Sequence, residues 1–106
     1  MSDVFRALAD PTRREIVLML ARRPENVNTL AERFAMSRPA VSKHLRVLAD
    51  HQLITLRSDG EDRRQRRCYF EPAALEEVTN YLAQVEKFWS SKLDRLDDFL
   101  RESEEE

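Results

Sequence analysis

The apolar residues in the N-terminal part of the chain recur at helical spacing and fall into two groups. The first group predicts a short helix between Asp3 and Ala9, and the second predicts a helix that ends near Arg23. Asp10 is a suitable N-cap for the second helix, and Pro11 suits its first turn, where a missing N–H leaves no hydrogen bond unmade. The apolar faces of the two helices are formed by Val4, Phe5 and Leu8 and by Ile16, Val17 and Leu20.

Two further groups of apolar residues predict a pair of short helices joined by a tight turn. The first starts at Asn26 or Asn28 and ends at Phe34, and the second extends from residue 38 to about residue 50. Ser37 is placed to cap the second helix. Two short helices joined by about three residues are the helix-turn-helix pattern, which here covers about residues 28–50. The apolar faces consist of Leu30, Ala31 and Phe34 and of Val41, Leu45 and Leu48.

The next segment changes from helical to strand character. Ile54 to Arg57 and Gln65 to Phe70 are rich in β-branched, aromatic and alternating residues, which predicts two strands. Asp59-Gly60 and the charged residues after it form the tip between them. A hairpin directly after a helix-turn-helix is a wing, predicted at about residues 54–70.

From residue 72 to about residue 101 the chain is again helical, with an apolar stripe along one side. A helix of about 28 residues would be about 42 Å long, which is more than a domain of this size can cover. We therefore interpret the stripe as a dimer seam rather than an intramolecular core, with Phe88 and Trp89 as anchors and the first helix beside it. The predicted interface comprises Val4, Phe5, Leu8, Leu82, Val85, Phe88, Trp89, Leu93 and Leu96.

These elements predict a mainly α-helical chain with one β-hairpin, a winged helix-turn-helix in a single domain of residues 1–106. The composition agrees, because 42% hydrophobic residues, 36% charged residues and a single glycine are typical of a helix-rich protein. A domain this small buries a modest share of its surface, so association of two copies through the first and last helices would add burial.

The predicted location is cytoplasmic. Cys68 is the one cysteine, which excludes a disulfide within the chain and fits a reducing compartment. The first residues contain no apolar signal-peptide core, and no stretch is long enough to span a bilayer. No membrane partner is expected.

The net charge of −2 conceals a strong asymmetry. Residues 38–67 contain eight basic and four acidic residues, whereas residues 71–106 contain four basic and eleven acidic residues. The predicted recognition helix and wing are therefore positively charged and the last helix negatively charged. This pattern indicates a local surface for nucleic acid that the global charge hides.

The predicted recognition helix is held by a narrow apolar stripe, so its polar residues point outward. The first turns of such a helix enter the DNA major groove, where base edges present distinct donors and acceptors. Arg38 and Lys43 are candidates for contacts to guanine or to phosphate, and Ser42 suits either. A solvated helix face is the alternative, but the turn, the cap and the following hairpin favour DNA. The candidates on this helix are Arg38, Pro39, Ser42, Lys43 and Arg46.

The wing supplies further basic candidates, namely Arg57, Arg63, Arg64 and Arg66. Arginine there suits phosphate or minor-groove contact, and the alternative is a solubilising edge strand. Strand alternation sends Arg66 and its neighbour Arg67 to opposite faces, so we expect two or three of these side chains to meet DNA. Of the histidines, His44 either touches phosphate or packs at the core edge, which we favour, and His51 is placed to cap helix carbonyls.

No other chemistry is indicated by the residues. The predicted last helix contains no histidine or cysteine, and Cys68 is isolated on a strand, so no metal site is expected. A packed side chain is the favoured interpretation of Cys68, and a redox role would need exposure and a lowered pKa. The chain also lacks a glycine-rich phosphate loop and a nucleophile elbow, so we expect neither a cofactor nor enzymatic activity.

Three segments resemble the ArsR/SmtB-type winged-helix repressors of bacteria: FRALADPTRREIVLML, LAERFAMSRPAVSKHLRVLADHQLI and YLAQVEKFWSSKLDRLDDFL. The resemblance covers nearly the whole chain and is greatest to the metal-free branch, which carries the Phe-Trp pair in its last helix. It implies a homodimer joined through the first and last helices. It also implies a transcriptional repressor that binds a near-palindromic operator in double-stranded DNA and is released by a signal. The sequence does not identify the signal or an effector.

A different class of function remains open from the residues themselves. Winged helices also bind other proteins through the same surface, so the chain can be interpreted as a protein-interaction module without specific DNA binding. The two functions differ in retention on heparin and random duplexes. Only the DNA-binding function requires charge reversal at Arg38, Lys43 and Arg46 to abolish that retention.

Overall fold

Helices predominate among the residues that the structure, a computed structural model, describes, which are 3–58 and 66–105. The helices are α1 (Val4–Ala7), α2 (Pro11–Arg22), α3 (Val27–Arg33), α4 (Arg38–Asp50) and α5 (Glu76–Glu105). The strands are β1 (Glu25–Asn26), β2 (Ile54–Arg57) and β3 (Arg67–Phe70), and a 3₁₀ turn at Pro72–Leu75 precedes α5. The predicted mainly α-helical winged helix-turn-helix fold is confirmed.

The chain divides into two compact units, Met1–Glu76 and Glu77–Glu106. The first unit contains α1 to α4 and the sheet, which together form the winged helix. The second consists of α5. The single domain predicted for residues 1–106 thus comprises a winged-helix unit followed by a helical one.

Side-chain caps determine where the helices of the first unit begin. Asp10 accepts a hydrogen bond from the backbone N–H of Arg13 at 3.0 Å and caps α2. Asn26 accepts one from Thr29 at 2.7 Å and caps α3, which selects the first of the two predicted starts. Ser37 caps α4 through the N–H of Ala40. Each cap satisfies one of the N–H groups that a helix leaves unpaired at its start.

The turn between α3 and α4 is shaped by one left-handed residue. Ala35 has a φ of 50°, and the N–H of Met36 donates to the carbonyl of Ala31 at 3.1 Å. This is the Schellman arrangement, which pairs carbonyls left over at a helix end. α4 ends in the same way, with Gln52 at a φ of 64°. The two sharp reversals direct the chain from α3 into α4 and from α4 into β2.

The sheet has three strands in the order β1-β3-β2, and both pairings are antiparallel. The hairpin register places Ile54 opposite Phe70 and Arg57 opposite Arg67. β1 was not predicted, because a two-residue strand shows no alternation. Within the described residues β3 begins at Arg67, and the predicted hairpin tip, which includes Asp59-Gly60, lies outside them.

The core of the first unit gathers the apolar faces predicted from helical spacing. The side chains of Leu30, Val41 and Leu48 are completely buried. No polar or charged residue is buried within residues 3–58 and 66–105, so the core is purely apolar there. Its members are Val4, Ala7, Ile16, Val17, Leu20, Val27, Leu30, Val41, Leu45, Leu48, Leu53, Ile54 and Cys68.

Two consecutive arginines of α2 bind the end of α1. Arg13 donates from Nε to the carbonyl of Ala7 at 2.6 Å and from Nη2 to that of Arg6 at 3.2 Å. Arg14 donates from Nη1 to the next two carbonyls, at 2.9 and 3.1 Å. A four-residue helix cannot hold itself, so α1 depends on these contacts and on its buried side chains.

The substitution Arg13→Met is expected to destabilise the protein by roughly 1.5–3 kcal/mol, because it removes two charge-assisted hydrogen bonds and keeps the apolar stem. Chemical denaturation followed by circular dichroism measures the change. Arg6→Met, at an exposed side chain of α1, is the matched control and should cost less than about 0.5 kcal/mol. Equal effects of the two substitutions would contradict the proposed role of Arg13.

α5 extends from Glu76 to Glu105, so it begins later and ends later than predicted. Its large apolar side chains are 45–69% exposed in the single chain. The net charge of this segment is negative, as the sequence shows. Within residues 3–58 and 66–105, no helix is both long and apolar enough to cross a membrane.

Candidate nucleic-acid interface

α4 presents a polar face to solvent because its apolar stripe is buried. Val41, Leu45 and Leu48 are at most 1% exposed, and they hold the helix against the core. All five predicted candidates on this helix are exposed: Arg38, Pro39, Ser42, Lys43 and Arg46. The structure therefore places them on the outward face, as the spacing predicted.

A groove of about 320 Å³ lies between α4 and the base of the wing. Its polar lining is Arg38, Ser42, Arg46 and Arg66, and its apolar lining is Val27, Leu45, Ala49 and Leu56. The described lining contains three arginines and no acidic residue. Three guanidinium groups around one concavity attract an anion, and planar guanidinium forks match the geometry of phosphate. The groove thus brings candidates from the helix and from the wing into one site.

Arg66 is positioned by a contact that the sequence did not indicate. Its carbonyl accepts a hydrogen bond from the N–H of Val27, the first residue of α3, at 3.1 Å. The pairing of Glu25 with Cys68 and of Asn26 with Arg67 extends the same attachment. This connection links the base of the wing to the helix-turn-helix. Arg67 is not among the described groove residues, in agreement with strand alternation.

Arg57 is held within the sheet and does not line the groove. Its guanidinium carbon lies 4.6 Å from the centre of the Tyr69 ring, and its Nη2 lies 4.0 Å from Oε1 of Glu71. The same Glu71 oxygen accepts a hydrogen bond from Oγ1 of Thr55 at 2.6 Å. A cation over an aromatic face is attracted by the ring quadrupole. Arg57 therefore braces the hairpin, and its contact with DNA stays a prediction.

The other wing candidates, Arg63 and Arg64, lie outside the described residues. On α4, Lys43 and Pro39 are exposed but are not among the described residues that line the groove. The contacts predicted for these four residues stay predictions. The structure groups Arg38, Ser42, Arg46 and Arg66, and these four define the candidate interface.

The two histidines join α4 to the N-terminal part of the chain. His44 is partly buried, and its Nδ1 lies 4.0 Å from Oδ2 of Asp10. The N–H of Arg13 lowers the pKa of the Asp10 carboxyl most, and the charge of His44 contributes. His51 was expected to cap carbonyls of α4, and this is wrong: its Nδ1 accepts a hydrogen bond from the N–H of Asp3 at 3.0 Å. An accepting nitrogen carries no proton, so it cannot donate to a carbonyl.

Cys68 is completely buried on β3, as predicted for a packed side chain. Burial raises the pKa of its thiol to about 11, because a thiolate is poorly solvated there. The described residues contain no group of three or more histidine, cysteine, aspartate or glutamate side chains able to hold a metal ion. These findings leave no described site for thiolate or metal chemistry.

The raised pKa makes a prediction for reactivity. Because the thiolate is the reactive form, native Cys68 is expected to react with iodoacetamide at neutral pH at least about a hundredfold more slowly than in urea. Mass spectrometry over time measures both rates. Rapid alkylation of the folded protein would show that the thiol is accessible and would contradict the packed assignment.

Comparison with known proteins agrees with this geometry. Residues 8–57, which include the helix-turn-helix, match a family of helix-turn-helix domains. The HTH-type transcriptional regulator Rv2034 of Mycobacterium tuberculosis is 41% identical over 84% of this chain and 78% of that protein. The transcriptional repressor SdpR of Bacillus subtilis is 36% identical over 58% of this chain and 68% of that protein.

A solved structure extends the similarity to the fold. The crystal structure of an ArsR family transcriptional regulator matches with a TM-score of 0.73 and 37% identity. The match covers 82% of this chain and 92% of that protein. Sequence and fold therefore point to the same group of proteins.

Proposed function

This chain belongs to the ArsR family of helix-turn-helix transcriptional regulators, and we propose that it is a homodimeric repressor of a near-palindromic operator. The family and the fold are those of DNA-binding regulators rather than enzymes. Double-stranded DNA is its binding partner. The proposal adds the oligomeric state, the symmetry of the operator and the residues that contact it.

The observation that carries the proposal is the arginine-lined groove between α4 and the wing. Arg38 and Arg46 come from the exposed face of α4, and Arg66 comes from the base of the wing. A phosphate that enters this groove aligns the duplex so that the first turn of α4 faces the base edges. We assign Arg38 and Ser42 to contacts near the bases and Arg66 to the backbone. Each neutralised phosphate releases counterions, so the affinity falls as salt rises.

The proposed dimer rests on α5 and α1. Leu82, Val85, Phe88 and Trp89 are 45–69% exposed in the single chain, as are Leu93 and Leu96. So large an apolar face marks an association surface in a protein of this size. On α1, Phe5 is 39% exposed, whereas Val4 is 3% exposed and has little surface left for a partner. The contribution of α1 therefore comes from Phe5 and Leu8.

Two-fold pairing explains why the operator should be near-palindromic. A symmetric dimer presents two copies of α4, and each reads one half-site. In dimeric helix-turn-helix proteins the half-sites are about 34 Å apart, one turn of the duplex. The name of the Bacillus subtilis relative supports repression as the direction of regulation. The cytoplasmic location and assignment to the metal-free branch remain predictions.

Selection of bound sites from a random duplex library tests the function. We expect an enriched site with two inverted halves one helical turn apart, and an affinity that decreases with salt by several powers. Absence of any enriched sequence, together with binding that ignores salt, would favour the protein-interaction module instead. Competition with heparin separates the two outcomes, because heparin mimics the charge of DNA without its bases.

A further inference from the structure

We infer that a second groove, between α2 and the end of α3, binds small organic anions that carry an apolar body. The groove has a volume of about 450 Å³, within the range of about 300–1,000 Å³ typical of small-molecule sites. It shares no described residue with the groove between α4 and the wing. A ligand can therefore occupy it without displacing DNA.

The apolar part of the site is formed by three side chains. Leu18 and Met19 come from α2, and Phe34 is the C-cap residue of α3. Leu18 is 61% exposed, which is unusual for a leucine in a unit whose other leucines are largely buried. Covering these side chains with an apolar ligand removes them from water, and this gain is proportional to the area covered.

The charge of the site selects an anion. Arg22, Arg23 and Arg33 line the groove together with Glu15 and Glu25. Nε of Arg23 lies 2.8 Å from Oε1 of Glu25, so these two charges offset each other. Among the described residues neither Arg22 nor Arg33 takes part in an ion pair. Two arginines thus face one remaining carboxylate, that of Glu15, which leaves a positive balance over an apolar floor.

The position of Phe34 connects the site to the rest of the fold. Phe34 ends α3, and the next residue, Ala35, begins the left-handed turn that leads into α4. A ligand packed on Phe34 lies beside the segment that orients the recognition helix. The binding step itself involves only α2, β1 and α3, and it does not depend on the proposed operator.

Octanoate is the probe that tests the site, because it combines a carboxylate with a short apolar chain. Titration at millimolar concentration, followed by amide NMR shifts in the free protein, is expected to be saturable and to move signals of Leu18, Arg22 and Phe34. Octylammonium, with the opposite charge, and acetate, without the chain, should bind at least about tenfold more weakly, because each lacks one half of the interaction.

Two variants locate the binding. Arg22→Glu combined with Arg33→Glu is expected to weaken octanoate at least about tenfold, because it reverses both unpaired charges. Lys87→Glu combined with Lys92→Glu, on α5, changes the net charge equally and should leave octanoate binding unaltered. Leu18→Asp is a second test of the apolar floor, and its exposed position makes loss of folding a small risk. Circular dichroism confirms that each variant is folded.

The inference is overturned if octanoate shows no saturable shift, or if octylammonium binds as well as octanoate. Acetate binding as tight as that of octanoate would show that the apolar floor takes no part and would also overturn it. Because these measurements use protein without DNA, their failure leaves the operator proposal intact. Conversely, octanoate binding in a protein that ignores duplex DNA would refute only the proposed regulation.

Discussion

Replacing Arg38, Arg46 and Arg66 together by glutamine is expected to lower duplex affinity by roughly a hundredfold to a thousandfold at moderate salt. The physical reason is that the three guanidinium groups line one groove without a described acidic neighbour. Loss of three phosphate contacts should also reduce the slope of log affinity against log salt by about three. Fluorescence anisotropy at several salt concentrations measures both quantities.

A matched control separates the groove from net charge. Arg6, Lys87 and Arg95 are exposed and lie outside the groove, and their combined replacement by glutamine removes the same charge. This control should change the affinity by less than about threefold, since distant exposed charges are screened by salt. If both triple variants lose affinity equally, the groove has no special role and the assignment fails.

Single substitutions distinguish reading of bases from contact with phosphate. Arg38→Gln should reduce the preference for the selected operator over random sequence, because this residue begins α4 and faces the base edges. Arg66→Gln should weaken both duplexes to a similar extent. A loss of discrimination caused by Arg66→Gln rather than Arg38→Gln would reverse the two assignments.

Introducing charge on the apolar face of α5 is expected to convert the dimer into a monomer. Trp89→Glu combined with Leu93→Glu removes two large apolar contacts, and each acts twice across a two-fold axis. Burial of such a side chain contributes roughly 1.5–3 kcal/mol, so the dimer dissociation constant should rise at least about a thousandfold. Sedimentation velocity over a range of concentrations measures this change.

The control for this experiment lies on the same helix. Ser91→Glu introduces a charge about half a turn away from Trp89, on the opposite side of α5, and should leave the dimer intact. The monomeric variant should still bind a half-site weakly and lose the gain from two half-sites. A wild-type protein that sediments as a monomer, or a double variant that remains a dimer, would refute α5 as the dimerisation surface.

Much of the fold was predictable because its signals are local. The helix starts at Asp10 and Ser37 were identified from residues whose side chains reach only three positions along the chain. The burial of Val41, Leu45 and Leu48 followed from helical periodicity alone. The outward face of α4 followed in turn, because a helix with one buried stripe must expose its other residues.

Other features escaped because their determinants lie far apart in the sequence. The hydrogen bond from Val27 to Arg66 joins residues that no local pattern relates, and it defines which wing arginine reaches the groove. Arg57 looked equivalent to Arg66 until Tyr69 and Glu71 were seen beside it. Arg13 likewise looked like a surface charge, although it binds carbonyls of α1. Composition and spacing carry no information on such pairings.

Residue order alone therefore determined the helices, their caps, the inward and outward faces and the resemblance to a family of repressors. Each of these depends on neighbours within a few positions, where backbone geometry is regular. Tertiary structure decided which arginines share a groove, which are occupied inside the protein and where a second concavity opens. Those outcomes depend on the packing of α2, α3, α4 and the sheet against a common core, which brings distant residues together.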